Sequence, residues 1–214
     1  MTFGHLHTDP RFWLLSEALA SYASDAHDPP IREGDRLQAA VALVLRATPD
    51  LEILLIKRAR SERDPWSGHM ALPGGRRDDD DMKLLDTAMR EVLEEVGLDL
   101  ERQAWPLGRL DDVAPNTPLL PSLTITPFVF GIGRDANAFV ASYEIDQVHW
   151  VKVDELRAPE THSTVEIPLP GGVRDFPCYR VLGEVVWGLT YGILNQFLEI
   201  YPELELDRLS ENGR

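Results

Sequence analysis

One cysteine, Cys178, stands among 214 residues, so no disulfide can close within the chain, and no His/Cys spacing of a zinc site is present. Basic residues are scarce as well: 21 Lys and Arg against 36 Asp and Glu leave a formal charge of −15 and a pI near 4.7. A surface of that sign cannot displace counterions from nucleic acid or settle on anionic lipid, so neither partner is expected. Long apolar runs are missing too. Stretches such as Ala39 to Leu45 fall far below the roughly 20 residues that a bilayer crossing needs. Nothing between Met1 and Pro10 pairs a basic segment with an apolar one, and with a single thiol this points to a reducing cytoplasm. Internal repeats and low-complexity linkers are also absent. What is there, 43% hydrophobic and 27% charged residues, is the balance of a compact globular chain, and a prior of roughly 150 residues per domain allows one domain with appendages.

Phe12, Leu15, Leu19 and Tyr22 recur at helical spacing before Asp28-Pro29-Pro30 stops any helix, which predicts an N-terminal cap helix. Leu37 to Leu45 and Leu51 to Ile56, joined by Pro49-Asp50, read as a hairpin of buried strands. A short strand, His69 to Leu72, leads into Pro73-Gly74-Gly75 and the acidic turn Asp78 to Asp81. Leu85, Ala88, Met89, Val92 and Val96 then form one helical stripe, capped by Asp80 or Asp81 and stopped by Gly97. Trp105 to Leu110, Leu123 to Ile132 and Val148 to Val153 are further strands, and Val113 to Pro121 is a loop. Val165 to Leu169 and Phe176 to Val181 flank Gly171-Gly172 as a hairpin, and Glu184 to Ile200 is expected to close the chain as one amphipathic helix. This order indicates an α/β or α+β sandwich with helices on the faces of a mixed sheet.

The chemistry sits in Arg90-Glu91-Val92-Leu93-Glu94-Glu95-Val96-Gly97-Leu98. On a helix Glu91, Glu94 and Glu95 share one face while Val92 and Val96 turn to the core. Like charges at this spacing repel unless a cation lies among them, and oxygen-only ligands in small number suit Mg²⁺ or Mn²⁺, which complete their shells with substrate phosphates. Arg90, four residues before Glu94 and four after Asp86, can bridge both and orient the ligands. Pro73-Gly74-Gly75 permits close backbone approach, so that a carbonyl of this loop can face the same ion.

Gly75 to Leu98, GRRDDDDMKLLDTAMREVLEEVGL, resembles the signature of the Nudix hydrolases: Gly, five residues, Glu, seven residues, then Arg-Glu-apolar-x-Glu-Glu-x-Gly-apolar. The second half matches at every fixed position. In the first half Asp81 stands for Glu, and eight residues instead of seven separate it from Arg90, a stretched form that is similar to the coenzyme A pyrophosphatase branch. Upstream, Leu54-Leu55-Ile56-Lys57-Arg58-Ala59, Arg63, Gly68 and Leu72-Pro73-Gly74-Gly75 resemble the branch motif, with Ile56 for Thr, Leu72 for Phe and one more residue between Arg63 and Gly68. Val186-Trp187-Gly188-Leu189-Thr190 is similar to the branch's late Ile-Trp-Gly-Leu-Thr. The loop Asp111 to Leu123 lacks the Ser-Gly-Phe-type segment associated with that branch.

The resemblance implies a Nudix-type α/β/α sandwich over residues 35–202, with a helical extension at 1–34 and a tail at 203–214. It implies that Glu91, Glu94 and Glu95 hold Mg²⁺ or Mn²⁺ with the Gly74 carbonyl, that Arg90 orients them, and that Glu91 can serve as base. Glu144, ahead of the Ile145 strand, is a candidate carboxylate from outside the signature. Arg58 and Arg63, with Gly74 and Gly75, would bind substrate, since Arg58, Arg60 and Arg63 concentrate positive charge in an acidic chain. His69 is a further candidate for substrate contact; Trp150 and Trp187 are expected in the core, and Cys178 to be inert. The substrate implied is a small-molecule nucleotide: coenzyme A or acyl-CoA, cut to 3′,5′-ADP and 4′-phosphopantetheine. ADP-ribose, NADH or a dinucleoside polyphosphate is the alternative, and a non-catalytic nucleotide-sensing domain a second. Family dimers make a homodimer the expected assembly.

Overall fold

Small and β-branched residues in alternation build the central strand β1 (Leu37–Ala47), whose odd positions Leu43 and Leu45 enter one core and whose even positions Ala40, Ala42 and Val44 enter another. The computed structural model describes residues 9–22, 37–61, 66–115, 122–169 and 171–201. Arg63, the whole of the 203–214 tail and part of the N-terminal extension lie outside them. Strand β2 (Leu51–Arg58) pairs antiparallel with β1, as the hairpin reading expects, and β3 (Met70–Ala71) extends the sheet beyond β2. On the other side, β6 (Leu123–Ile132) runs parallel to β1 and antiparallel to β5 (Ala104–Arg109). Two further strands, β4 (Gly74–Arg76) and β7 (Ile145–Lys152), pair with β1 and β2, completing a mixed seven-stranded sheet.

Helix α2 (Leu84–Val96) covers the even face through Leu84, Ala88, Val92 and Val96, and the short α3 (Leu100–Gln103) continues it. The odd face is covered by α1 (Pro10–Tyr22), by α5 (Gly188–Ile200), by the short α4 (Val153–Arg157) and by a second sheet. That sheet comprises β8 (His162–Leu169), β9 (Gly172–Val181) and β10 (Glu184–Trp187). The result is the expected α/β/α arrangement. No helix among the described residues is long and apolar enough to cross a membrane.

Three sequence expectations need correction. Glu184–Trp187 is a strand, not the first turn of the last helix: Leu182 and Gly183, both at positive φ, fold the chain back so that the β-branched pair Val185-Val186 joins β9. Helix α2 is capped by Lys83 and by Asp86, which accepts from the Lys83 N–H at 3.0 Å, so Asp80 and Asp81 do not cap it. Trp150 and Trp187 are only half-buried. Arg46 lies over the Trp150 ring, and Trp187 packs against Phe176 and, edge-on, against His69 at 5.2 Å. Gly97 does stop α2 in the left-handed region, at φ 69°, and Cys178 is buried.

The N-terminal helix is part of the main core, because Phe12, Leu15 and Leu19 are fully buried in the cluster that α5 also fills. Phe12 lies so close over Gly131 that a Cβ there would come within 2.9 Å of its ring. Truncation of Phe12 to Ala is expected to destabilise the fold by about 3–5 kcal/mol, measured by urea denaturation; a loss below about 1 kcal/mol would mean that α1 is only draped on the surface.

Candidate active site

The site is built where the β3–β4 corner meets α2. The short strand β4 lies on β1, with Val41 opposite Gly74 and the Ala42 N–H donating to the Pro73 carbonyl at 2.9 Å. Gly74 is required there: at φ 150° a Cβ would stand 2.3 Å from the Ala40 carbonyl oxygen. This packing aims the Gly74 N–H at α2, where it donates to Glu95 Oε2 at 3.0 Å. Gly75 makes room for the next carboxylate, since a Cβ on it would lie 2.4 Å from Glu91 Oε1. The two glycines therefore set where Glu95 and Glu91 stand.

Glu95 is 4% exposed. Burial drives its carboxyl up, Glu91 and Glu144 add to the effect, and the Gly74 N–H and Arg58 oppose it, leaving it at about 8. Arg58 Nη1 is 3.9 Å from Glu95 Oε1. Burial also raises Glu91, against the pull of Arg90. Glu144 is exposed at the turn before β7, and its carbonyl accepts the Ala59 N–H at 2.7 Å, so β2 and β7 hold it beside the arginine-bearing strand end. Its charge is the smallest of the influences on Glu95.

Arg90 is the hub. Its Nη1 donates to Glu91 Oε1 at 2.9 Å and more weakly to Glu94 Oε2 at 3.4 Å, while Nη2 also donates to the Arg76 carbonyl. Nε and Nη2 grip both oxygens of Asp81, at 3.1 and 2.9 Å. Asp86 does not meet Arg90, because the capping box occupies it. Sequence reading missed this anchoring role for Asp81, although its place in the signature, nine residues ahead of Arg90, was the available signal. Burial alone would raise the Asp81 carboxyl, but Arg90, the Asp78 N–H and the Thr87 hydroxyl hold it at about 2.

A carboxyl held below its ordinary 3.8 contributes stability above that pH and loses it as the pH falls toward 2, an effect worth about 2 kcal/mol. An Asp81→Asn variant should therefore be about 2 kcal/mol less stable than wild type at pH 7 in urea titrations. The difference should shrink between pH 4 and 2; one unchanged at pH 2 would mean that the pair is not the cause.

Helical spacing puts Glu91, Glu94 and Glu95 on one face, yet it does not by itself gather them. Glu91 is turned to Arg90, the Glu94 side chain is 58% exposed, and among the described residues no three His, Cys, Asp or Glu side chains already stand as a metal cage. The donor set nevertheless fits a hard divalent cation. All three are carboxylates, two are lifted by burial and by neighbouring carboxylates, and an added positive charge would relieve both. His69 packs edge-on against Trp187.

A buried and a half-buried carboxylate on one helix, indexed by a Gly-Gly corner and braced by an Asp–Arg pair, on a mixed sheet between helices, form a donor set of the kind that hydrolases assisted by hard cations use. The sequence profile of the NUDIX domain matches residues 36–169, and the chain belongs to the Nudix family of pyrophosphohydrolases, enzymes that use divalent metal ions on small nucleotide-type substrates. It is 37% identical over 118 residues to an uncharacterized protein of Schizosaccharomyces pombe, covering 54% of this chain and 36% of that one. It is 31% identical to Nudix hydrolase 15, mitochondrial, of Arabidopsis thaliana, over 81% of this chain and 61% of the relative. The peroxisomal coenzyme A diphosphatase ndx-8 of Caenorhabditis elegans is 28% identical over 79% and 69% of the two chains. Among solved structures, a MutT/nudix family protein of Enterococcus faecalis shares the fold with a TM-score of 0.53 at 16% identity, over 97% of this chain and 75% of that one.

Proposed function

We propose that the protein hydrolyses the diphosphate of coenzyme A or an acyl-CoA, releasing 3′,5′-ADP and 4′-phosphopantetheine. The observation that carries the chemistry is Glu95, a buried carboxyl fixed by the Gly74 amide and lifted to about 8, with Glu91 as its like-charged neighbour. Glu91, Glu94 and Glu95, with the Gly74 carbonyl, would hold Mg²⁺ or Mn²⁺. When bound, such an ion lowers the pKa of its water and neutralises charge on the phosphates. Arg90 keeps Glu91 oriented by standing between it and Asp81. Arg58, at the end of β2 and 3.9 Å from Glu95, would take a phosphate oxygen, a role that the upstream motif supports. Arg63 shares that role on the strength of the upstream motif. Glu144 is a candidate to take the proton of the attacking water, its charge already being felt at Glu95.

In the reaction, water oxygen forms a bond to one phosphorus, the bridging P–O bond breaks, and the bridging oxygen leaves with the other phosphate. Similarity to ndx-8 and the upstream Leu54 to Gly75 motif both support coenzyme A as the substrate. Incubation with coenzyme A, acetyl-CoA, ADP-ribose, NADH and diadenosine tetraphosphate under Mg²⁺ or Mn²⁺, read by product chromatography, tests this. The expected order puts the coenzyme A compounds first; a higher kcat/KM for ADP-ribose or NADH would overturn the substrate assignment. A homodimer is the expected assembly, to be checked by light scattering.

A further inference from the structure

The last turn of an α-helix leaves four carbonyls without partners inside the helix, and at the end of α2 they belong to Leu93, Glu94, Glu95 and Val96. Gly97 returns its N–H to the Leu93 carbonyl at 3.1 Å. The segment that joins β6 to β7 supplies two more donors: the Ala141 N–H reaches the Glu95 carbonyl at 3.0 Å, and the Phe139 N–H reaches that of Val96 at 3.1 Å. Donors two residues apart on one side mark an extended chain, so residues 136–144 lie as a strap across the helix end. Glu95 is thereby held twice, its carboxylate by the Gly74 N–H and its carbonyl by the Ala141 N–H. The strap is fastened at both ends. At one, the Arg46 guanidinium, over the Trp150 ring at 4.1 Å, donates to the Ala136 carbonyl at 3.3 Å. At the other, Ser142 Oγ accepts the Glu144 N–H at 3.2 Å, and the Glu144 carbonyl accepts the N–H of Ala59, the residue after Arg58. Between them the anchor is Phe139, whose ring fills the space beside Gly97: a Cβ there would lie 2.4 Å from Phe139 Cζ, so this glycine both stops the helix and seats the ring. Phe139 is nevertheless 53% exposed, Val140 and Tyr143 are exposed as well, and only the small Ala136 and Ala138 join the core beneath α2.

We infer that this strap sets Glu95 and Glu144 in register with each other, and that Phe139 is its positioning residue, acting through the Glu95 and Val96 carbonyls with no polar group of its own. The inference rests on the proposed reading of Glu95 as a cation ligand. Ala141, bonded to the helix, stands three residues before Glu144, so a strap that slips on the helix end displaces Glu144 relative to α2 and frees the Glu95 backbone at the same time. Loss of partners that orient ligands in this way costs about 10- to 100-fold in metal affinity or activity.

Phe139→Ala removes the seat and leaves both main core clusters whole, so its Tm should stay within about 3 °C of wild type. Its affinity for Mn²⁺, measured by calorimetry without substrate, should fall by about 10-fold or more, and kcat on coenzyme A by about 10- to 100-fold with KM nearly unchanged. Phe139→Leu, which restores an apolar seat on Gly97, should recover much of both losses. Ala141→Pro deletes the N–H that reaches Glu95 and should reproduce the Phe139→Ala losses by an independent route. Wild-type Mn²⁺ affinity and kcat in both Phe139→Ala and Ala141→Pro, or a lower Tm with neither quantity changed, would overturn the inference and leave the proposed function standing. If coenzyme A is not hydrolysed at all but Mn²⁺ affinity depends on Phe139, the substrate assignment fails and the strap keeps its role. A wild-type protein that binds no Mn²⁺ would remove both.

Discussion

Glu95→Gln is expected to reduce kcat on the order of 10³-fold or more while making the metal-free protein more stable at alkaline pH. Both halves come from the same carboxyl. Gln keeps an oxygen for the Gly74 N–H but cannot carry the negative charge that a divalent ion or its water requires, and losses of this size follow removal of a charged group from a preorganised site. The stability half follows from linkage. The Glu95 carboxyl titrates near 8 when folded and near 4.5 when unfolded, so its contribution is complete below pH 4.5 and is lost as the pH rises through 8. The amide does not titrate, and above pH 8 in chelator-treated buffer the variant should exceed wild type by up to a few kcal/mol, read as a higher Tm. Added Mg²⁺ or Mn²⁺ should then raise the Tm of wild type but not of the variant, since an ion that binds only the folded state stabilises it. Wild-type turnover in the variant, or a metal-dependent Tm rise of equal size in both, would remove Glu95 from the ligand set.

The two glycines of the corner should fail in different ways when replaced by alanine. At Gly74 the new methyl would press on backbone, the Ala40 carbonyl oxygen at 2.3 Å and the Val41 Cα at 2.6 Å, in a φ region that L side chains rarely adopt. Neither can move without opening the β1–β4 pairing, so Gly74→Ala should lose several kcal/mol and accumulate poorly folded. At Gly75 the methyl meets only the end of the Glu91 side chain, and φ is ordinary. Gly75→Ala should therefore fold with a Tm within a few degrees of wild type, yet with kcat reduced by about 100-fold or more because Glu91 is driven from its place against Arg90. Paired measurement of Tm and kcat distinguishes the cases. A Gly75→Ala enzyme with normal kcat would show that the observed position of Glu91 is immaterial.

Much of this was legible in the residues themselves. The near-continuous apolar runs Leu37 to Leu45 and Leu51 to Ile56 announce strands buried on both faces, the 3.6-residue stripe from Leu85 to Val96 fixes the face that Glu91 and Glu95 share, and Gly97 marks its end. The failures have local causes. Glu184 to Trp187 is too short for period to separate strand from helix, and the turn at Leu182-Gly183 carries no Asn or Asp to announce itself. Asp81 reads as a cap because acids before a helix usually are. Its true partner lies two turns farther on, and only the folded loop brings it to Arg90.

The amide that steadies Glu95 belongs to a strand of three residues, Gly74–Arg76, whose attachment to the sheet runs through Ala39 to Val41. So brief a ribbon has little cooperativity of its own, and local opening takes the weakest pairings first. Warming should accordingly silence the enzyme by peeling this ribbon away several degrees before the hydrophobic layers separate, which makes the heat tolerance of catalysis a property of one small seam and not of the whole molecule.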